Sequence, residues 1–335
     1  MKLLEQCQIN AKKNPGWVVF PDAVDERAIR AALHIQKEGL GFPWLLGRLE
    51  EIKSICQAQK LPYASLNIID PTQSEWIPEF AKRLEGKIKD KTLDDLQQMV
   101  QDPLWFGASM LATGRCDFCI AGNISSTANV LRAGLRILGL QPGNQTLSSI
   151  MIMISPNGED VYGFSDCGVI PVPTMEQLSD IAITTAENYH AITNSQPNVA
   201  MLSFSTKGSA KHDAVIKTQM ATQMAKERAP YLNIDGDLQF DAAFVPSVGE
   251  KKAPDSTVAG RANVLVFPSL EAGNIGYKIA QRMGGYEAIG PLIQGLNGEM
   301  HDLSRGCSWQ DMVQVLVIAT QMKLGKKVGD EITIV

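Results

Sequence analysis

The sequence predicts an α/β protein, and three observations support this prediction. Short apolar runs rich in β-branched residues alternate with stretches at helical spacing along the whole chain. A length of 335 residues suits two domains of roughly 100 to 200 residues each. Helix caps are visible between the strands. Alternating strands and helices imply mostly parallel sheets that helices cover on both faces.

The strands are predicted from eight runs, in chain order "WVVF", "PWLLG", "LNIID", "DFCIAG", "SSIMIMIS", "VAMLSFS", "DAAFVP" and "NVLVFPS". Asp102 with Pro103 begins a helix that Gly114 ends, and Thr174 with Gln177 forms a capping box. The opening stretch predicts an amphipathic first helix. Because no long linker interrupts the chain, we place the domain boundaries in tight connections, giving one domain of residues 1–145 plus 290–335 and a second of 146–289.

The composition excludes several classes of function. A net charge of -5 and a pI near 5.5 argue against binding to nucleic acid or to an anionic membrane, which would need a basic face. No run approaches the ~18 apolar residues of a membrane span. Six scattered cysteines do not form a disulfide pattern and indicate a reducing, cytoplasmic setting.

Two segments imitate metal or redox motifs. Cys116 and Cys119 spell C-x-x-C, but in a strand their odd separation points them to opposite faces, which favours packing in the core. The acidic run "DGDLQFDAAFVP" has Phe240 where a calcium loop needs glycine and Pro246 where it needs glutamate. We interpret this run as a turn leading into a strand, and we predict no metal site.

Parallel sheets bind ligands beyond the carboxyl ends of their strands, so the polar segments after strands are the places to search. The chain lacks G-x-G-x-x-G after its first strand and lacks G-x-x-x-x-G-K-[ST]. It does have "SFSTKGSAKH" after a strand, where hydroxyls, a lysine and a glycine offer what an oxyanion requires. The residues concerned are Ser205, Thr206, Lys207, Gly208 and Ser209. The same composition is common in ordinary loops.

Two other segments repeat the anion-binding pattern. "NISSTANVLRAGLR" has Ser126 and Thr127 at the start of a helix that carries Arg132 and Arg136 on one face. "EAGNIGYKIAQRMGG" places Lys278 and Arg282 four residues apart, either beside a cleft or on a solvated helix face.

The stretch "MHDLSRGCSWQDM", residues 300–312, concentrates the most reactive side chains. It also contains an ordinary helix start. Ser308-Trp309-Gln310-Asp311 has the S-x-x-D spacing in which the acidic residue reaches back to the cap amide.

Five of these segments together resemble the phosphate acetyltransferase (phosphotransacetylase) family, particularly its short ethanolamine-utilisation form. They are "DLSRGCS" with Asp311, "NIGYKIAQR", "SDCGVIPVPT", "LSFSTKGSA" and "SSTANVLRAGLR", and the likeness covers essentially the whole chain. The resemblance implies two α/β/α domains with an interdomain cleft, isocitrate dehydrogenase-like, in a homodimer. It also implies interconversion of acetyl phosphate plus coenzyme A with acetyl-coenzyme A plus phosphate, without metal or permanently bound cofactor.

The resemblance also implies roles for individual residues. Ser304, Arg305 and Asp311 match the catalytic serine, arginine and aspartate of the family, and Arg282 matches an active-site arginine. Arg132 matches an arginine that binds a phosphate of coenzyme A, and Cys167 a cysteine near the site that is dispensable for chemistry. This chain departs from the family at the second arginine that contacts coenzyme A, where it offers Lys87 or Lys89 instead. A lysine provides a point charge, whereas an arginine provides a bidentate fork of donors.

The family reading makes Asp311 the base for the coenzyme A thiol, but ordinary pKa values disfavour that role. Moving a proton from a thiol of pKa ~8.5 to an aspartate of pKa ~3.9 costs about 6 kcal/mol. Asp311 is therefore either a base in an altered environment or a cap and orienting residue. Arg305, Arg282 and the "STKGS" loop are expected to neutralise the acyl phosphate, while Ser304 hydrogen-bonds the tetrahedral oxygen or steadies the thiol.

Two alternatives remain at the level of sequence. The first is a phosphate butyryltransferase or propionyltransferase on the same scaffold. Such an enzyme would differ in the volume of its acyl pocket. The second alternative is a non-catalytic, ligand-sensing domain of this type. The intact catalytic set argues against it, namely Ser304, Arg305, Asp311 and Arg282. The sequence leaves microcompartment association open.

Overall fold

The computed structural model describes residues 2–328, which form two compact units. Unit 1 consists of Leu3–Gln141 and Leu296–Thr320, and unit 2 of Pro142–Gly295 and residues 321–328. Among residues 2–328, no helix combines the length and apolar character that crossing a membrane requires.

Unit 1 is built on a five-stranded sheet in which every neighbouring pair is parallel. Its strands are β1 (Gly16–Phe20), β2 (Gly41–Leu46), β3 (Asn67–Ile69), β4 (Phe118–Ala121) and β11 (Glu299–Asp302), in the order β11-β4-β1-β2-β3. Its helices are α1 (Leu3–Lys13), α2 (Glu26–Glu38), α3 (Leu49–Ala58), α4 (Ile77–Leu84), α5 (Leu93–Met99), α6 (Pro103–Ala112), α7 (Thr127–Ile137) and the first part of α13 (Trp309–Val328).

The parallel order brings three loops of unit 1 together. Asp302 at the end of β11 lies opposite Ala121 at the end of β4, and Val19 in β1 lies opposite Cys119 in β4. Because these strands run the same way, the loops that follow them meet at one edge of the sheet. This edge carries the segment that contains Ser304 and Arg305.

Unit 2 has a six-stranded sheet in the order β10-β5-β6-β9-β7-β8. Its strands are β5 (Ser148–Ile154), β6 (Val161–Ser165), β7 (Asn198–Leu202), β8 (Asn233–Leu238), β9 (Val264–Val266) and β10 (Glu287–Gln294). Its helices are α8 (Met175–Thr193), α9 (Asp213–Arg228), α10 (Phe240–Phe244), α11 (Pro246–Lys252) and α12 (Leu270–Arg282). The four strands from β6 to β8 are parallel, whereas β5 is antiparallel to both β10 and β6. The prediction of an α/β fold with mostly parallel sheets is confirmed.

The predicted helix ends are confirmed at both places where the sequence marked them. The Asp102 carboxylate accepts from the amide of Leu104 at 2.9 Å, directly before α6. Thr174 and Gln177 form the predicted capping box of α8. These caps satisfy amides that the first turn of a helix leaves without a partner.

The prediction of a strand at "DAAFVP" is wrong, and so is the interpretation of the preceding acidic residues as a turn. The segment forms α10 and the start of α11, while the strand is the preceding "NIDGDL" of β8. Charged residues occur in this strand because their charges are compensated. Asp235 accepts from Lys207 at 2.6 Å and from Lys226 at 3.0 Å.

The two units divide at different residues from those expected. A boundary at 290 would cut β10, whose residues from Glu287 to Gln294 pair with β5. At the other end, α13 leaves unit 1 after Thr320, because its continuation contacts α8: Gln321 donates to the carbonyl of Ala191 at 3.2 Å. The last residues of the expected first domain, 329–335, lie outside the described part of the chain.

Gly122 allows two loops to approach closely at the edge of the unit 1 sheet that carries Ser304 and Arg305. Its φ is +100°, and a Cβ on it would lie 2.3 Å from the Leu303 carbonyl oxygen. We therefore expect Gly122→Ala to destabilise the protein by at least about 3 kcal/mol, since strain and a backbone clash add. Gly139→Ala is the matched control, with a φ of +74° and open space around the added methyl group. It should cost only about 1 kcal/mol. Thermal unfolding of both variants checks this, and equal losses would contradict it.

Candidate active site

The Ser304–Arg305 segment is an exposed turn with anchored ends. The Leu303 amide donates to the Ala121 carbonyl at 2.8 Å, and the Cys307 amide donates to the Ser304 carbonyl at 2.9 Å. The Ser304 hydroxyl accepts from the Gly306 amide at 3.2 Å. Leu303 and Cys307 are buried, whereas Ser304 and Arg305 are exposed. The turn thus presents the two predicted catalytic side chains to solvent on a fixed backbone.

Arg27, which the sequence analysis did not single out, ties this turn to the rest of unit 1. Its guanidinium donates to the carbonyls of Arg305 and Cys307, each at 2.8 Å, and to that of Asn123 at 2.9 Å. It also pairs with Asp25 at 2.6 Å. Burial alone would raise the pKa of Asp25, but hydrogen bonds from Arg27 and Asn123 outweigh burial and lower it. The planar fork of arginine suits this simultaneous binding of several oxygens.

Asp22 is the second residue that the sequence analysis missed. Its buried carboxylate accepts from the amides of Gly122, Ile124 and Ser125 at 2.9, 3.2 and 3.0 Å. It also accepts from the Ser125 hydroxyl at 2.6 Å. Asp22 therefore holds the loop that leads into α7. Asp22, Asp25 and Arg27 all lie in "FPDAVDER", directly after β1, so a search of strand ends that included the first strand would have found them.

The start of α7 is open to solvent. Ser126 is its N-cap and accepts from the Asn129 amide at 3.4 Å. Ser126, Thr127 and Arg132 are exposed, and Arg132 donates to the Asn129 side chain at 2.9 Å. The first amides of a helix have no intrahelical acceptor and attract anions. This end of α7 and Arg132 together have the chemistry of a phosphate-binding surface.

Asp302 is a buried acid at the end of β11, two residues before Ser304. It is 3% exposed, and its Oδ1 has no hydrogen-bond partner within residues 2–328. Burial raises its pKa to about 6; the Thr127 side chain opposes the rise, and the negative charge of Asp22 adds to it.

Asp311 forms the predicted capping box of α13. Its carboxylate accepts from the Ser308 amide at 2.7 Å, and its own amide donates to the Ser308 hydroxyl at 3.2 Å. Asp311 thus has a defined structural role as part of the cap of α13. Cys307 is buried, and burial raises the pKa of its thiol to about 11, so it remains protonated near neutral pH.

The "STKGS" loop of unit 2 uses its own amides internally. The Thr206 amide donates to the Ser209 hydroxyl at 3.1 Å, and the Gly208 amide donates to Asp237 at 3.2 Å. The amides of Ser205, Lys207, Ser209 and Ala210 are bonded within the protein as well. The Lys207 amine is paired with Asp235. In this conformation the loop offers an anion hydroxyl groups and no unpaired backbone amides.

The remaining predicted residues of unit 2 differ in exposure. Cys167 is only 2% exposed, and burial raises the pKa of its thiol well above the ordinary value. Asp166 collects the amides of Gly168, Val169 and Ile170 and so shapes the loop around it. Arg282, at the end of α12, is exposed and has no hydrogen-bond or ion-pair partner in the described chain.

The side chains set aside during the sequence analysis lie in structural positions. Cys116 and Cys119 are both buried free cysteines. His34 packs against Trp309 at 5.1 Å between ring centroids, and His212 caps α9 by accepting from the Ala214 amide. Within residues 2–328, no three His, Cys, Asp or Glu side chains come together as a metal-binding group.

The chain is similar to known proteins in family, in sequence and in structure. The family model described as "Phosphate acetyl/butaryl transferase" matches residues 2–320. A phosphate acetyltransferase from Acetivibrio thermocellus is 43% identical over 324 residues, covering 95% of this chain and 97% of the relative.

Two solved structures of similar sequence also match. A phosphotransacetylase from Streptococcus pyogenes has a TM-score of 0.90 and 40% identity, covering 96% of this chain and 98% of its own. EutD phosphotransacetylase from Staphylococcus aureus has a TM-score of 0.85 and 38% identity, covering 95% and 99%. The likeness of fold alone extends to a proposed 4-hydroxythreonine-4-phosphate dehydrogenase from Salmonella typhimurium, at a TM-score of 0.53 and 12% identity, covering 94% and 100%.

The raised pKa of Asp302 has a consequence for stability. Because its folded pKa of about 6 exceeds the ordinary value of 3.8, folding binds a proton between these pH values, and stability falls as pH rises through this window. Above pH 7 the buried charge costs about 3 kcal/mol. We expect Asp302→Asn to raise the free energy of unfolding at pH 8 by up to about that amount, and to change it little at pH 4. Denaturant titrations at both pH values measure the difference, and an equal effect at both would contradict the assignment.

Proposed function

The chain belongs to the phosphate acetyl and butyryl transferase family, and from this premise we infer that it is a phosphate acetyltransferase. It interconverts acetyl phosphate plus coenzyme A with acetyl-coenzyme A plus phosphate. The observation that carries this inference is 43% identity to a phosphate acetyltransferase over 95% of the chain. The exposed Ser304–Arg305 turn, anchored by Arg27, supports it from geometry.

We assign charge neutralisation to two arginines. Arg305 and Arg282 are both exposed and unpaired in the described chain. Acyl phosphates are dianionic, and transfer to sulfur develops further negative charge on the carbonyl oxygen and on the departing phosphate. Guanidinium groups stabilise such oxygens with charge-assisted, bidentate hydrogen bonds.

Ser304 has a free donor for the developing oxyanion. Its oxygen already accepts from the Gly306 amide, which orients the hydroxyl and leaves its hydrogen available. We propose that this hydrogen is donated to the tetrahedral oxygen. A single preorganised donor of this kind is commonly worth 10²- to 10³-fold in kcat.

Coenzyme A is proposed to bind through its phosphates at the start of α7. Ser126, Thr127 and Arg132 supply hydroxyls, unpaired first-turn amides and a positive charge there. For the "STKGS" loop, with Ser205, Thr206, Lys207, Gly208 and Ser209, only hydroxyl contacts are proposed, because its amides and lysine are already engaged. Cys167 is proposed as a packed neighbour of the substrate loops.

The protein is proposed to act in the cytoplasm with no permanently bound cofactor, coenzyme A being a substrate. The free, buried cysteines fit a reducing compartment. Its partners are proposed to be small molecules and a second copy of the chain.

The expected activity can be measured directly. Purified protein should release phosphate from acetyl phosphate only when coenzyme A is present, and more slowly from propionyl and butyryl phosphate. Arg305→Gln should lower kcat/KM by about 10²- to 10³-fold, because the transition-state charge loses its partner. Arg48→Gln, at another exposed arginine of unit 1, should leave activity near the parent value. Failure with all three acyl phosphates would overturn the function, and a preference for butyryl phosphate would select the butyryltransferase alternative. Coenzyme A binding without turnover would select the ligand-sensing alternative.

The role of Asp311 is testable separately from its cap. Asparagine can still accept from the Ser308 amide but cannot take a proton, whereas alanine can do neither. We expect Asp311→Asn to retain turnover within a few-fold. Asp311→Ala should lower stability by about 1 kcal/mol through loss of the cap. A 10²-fold or larger loss of kcat in Asp311→Asn would instead establish Asp311 as the base.

Homodimer formation is supported by an apolar stripe on α12 and its C-cap residue Met283. Ile275, Ile279 and Met283 recur every four residues and are 55, 53 and 84% exposed in the single chain. A stripe of this kind on a helix is typical of a surface that another protein covers. Light scattering should give about twice the chain mass of 36.5 kDa. Ile275→Asp with Ile279→Asp should give monomers, while Leu49→Asp in unit 1 should not. A monomeric parent protein would contradict the proposal.

A further inference from the structure

Lys217, near the start of α9, binds two backbone carbonyls and no carboxylate. Its amine donates to the carbonyl of Pro173 at 3.1 Å and to that of Pro268 at 3.3 Å. The side chain is half-buried, and within residues 2–328 no acidic group lies close enough to form an ion pair with it. The amine and these two carbonyls are here called the Lys217 clamp.

The two carbonyls of the Lys217 clamp belong to neighbouring loops of unit 2. Pro173 lies in the loop after β6, directly before the N-cap of α8, and Pro268 lies in the loop after β9, directly before the N-cap of α12. Strands β6 and β9 are adjacent and parallel, so both loops leave the sheet at the same edge. Lys217 therefore joins the loop that contains Cys167 to the helix that ends at Arg282.

The Lys217 clamp depends on the number of N–H donors that the amine carries. An ammonium group has three, which is enough for both carbonyls. Each carbonyl precedes a helix N-cap, so the first intrahelical bond goes to the cap residue and not to the proline. An acylated amine keeps a single N–H. At least one of the two carbonyls would then lose its donor, and the acyl group would add another oxygen acceptor beside them.

The Lys217 amine is also suited to react with an acyl group. Partial burial lowers its pKa, because no nearby carboxylate compensates for the lost hydration of the ammonium form. A lysine attacks carbonyl carbons as the neutral amine, and a desolvated lysine reaches that form more readily. After one proton is lost, two N–H groups remain for the two carbonyls and the lone pair is free. Lys226, later on the same helix, is instead held as an ammonium by Asp235 at 3.0 Å.

We propose that Lys217 is a self-acylation site, at which acetyl phosphate modifies the protein and opens the Lys217 clamp. The proposal rests on the proposed function, which makes acetyl phosphate a substrate of this chain. Opening of the clamp displaces the start of α12, and with it Arg282, so activity falls as acetyl phosphate accumulates. Lys217 is in this sense a positioning residue and not a catalytic one.

The modification balances without a further reactant. The ammonium of Lys217 first gives one proton to solvent. The lone pair of the amine then forms a C–N bond with the acetyl carbon, and the C–O bond to phosphate breaks with its electrons on the phosphate oxygen. A second proton of the amine passes to this phosphate, which leaves as hydrogen phosphate. The products are acetyl-lysine and inorganic phosphate.

The first test follows labelling of the parent protein. Purified protein is incubated with isotope-labelled acetyl phosphate in the absence of coenzyme A, and peptide mass spectrometry measures the acetylated fraction of each lysine over time. Lys217 should be acetylated several times faster than Lys226, which lies on the same helix but is paired with a carboxylate. Labelling of Lys217 at the same rate as Lys226, or more slowly, would overturn the proposal.

The second test connects the label to activity. After acetyl phosphate is removed, coenzyme A-dependent phosphate release should fall in proportion to the acetylated fraction of Lys217. Lys217→Arg keeps the charge and the donors but has no nucleophilic amine, so it should retain activity and resist this loss. Lys226→Arg should lose activity as the parent does. Lys217→Gln, which resembles the acetylated state, should lower kcat/KM by about tenfold or more through misplacement of Arg282.

The possible outcomes separate this proposal from the proposed function. Loss of activity in Lys217→Arg at the rate of the parent, or full activity in protein acetylated at Lys217, overturns self-acylation as a control of turnover. A parent protein that never releases phosphate from acetyl phosphate with coenzyme A overturns the proposed function instead. The comparison of Lys217 with Lys226 needs no turnover, so it decides the modification site in that case as well.

Discussion

Loops at the ends of parallel strands must find acceptors for their backbone amides, and in this protein buried aspartates supply them. Asp22 in unit 1 binds three amides and one hydroxyl of the loop that enters α7. Asp166 does the same for the loop around Cys167 in unit 2, and Asp237 binds the Gly208 amide. Asp22 and Asp237 join segments 100 and 29 residues apart in sequence, and Asp166 holds the loop that directly follows it, so the loops are held where the strands end. The exposed side chains of those loops are consequently presented on rigid backbone.

The same device limits what each loop can bind. An amide that already donates to an acceptor within the protein is not available to a substrate phosphate, so the "STKGS" loop offers an anion fewer donors than its composition indicates. The start of α7 retains its first amides, and Arg305 and Arg282 retain unpaired guanidinium groups within the described chain. Anion recognition is therefore expected at helix α7 and at the arginines.

Asp302 departs from this pattern, and the departure has an energetic cost. A buried carboxyl with an unpaired oxygen disfavours its own charged form and destabilises the folded state at neutral pH.

The sequence by itself determined the fold class, most strands, the helix caps and the family, because periodicity and caps are local and long motifs are specific. The Ser308–Asp311 cap was visible for the same reason. Only the tertiary structure decided that "NIDGDL" is a strand, since the partners that compensate Asp235 lie elsewhere in the chain. It alone brought Asp22 to the 122–125 loop, about 100 residues away, and Arg27 to the carbonyls of Arg305 and Cys307. Burial of Asp302 likewise depends on how β4, β11 and α7 pack, and no local pattern encodes a group whose environment is assembled from three distant segments.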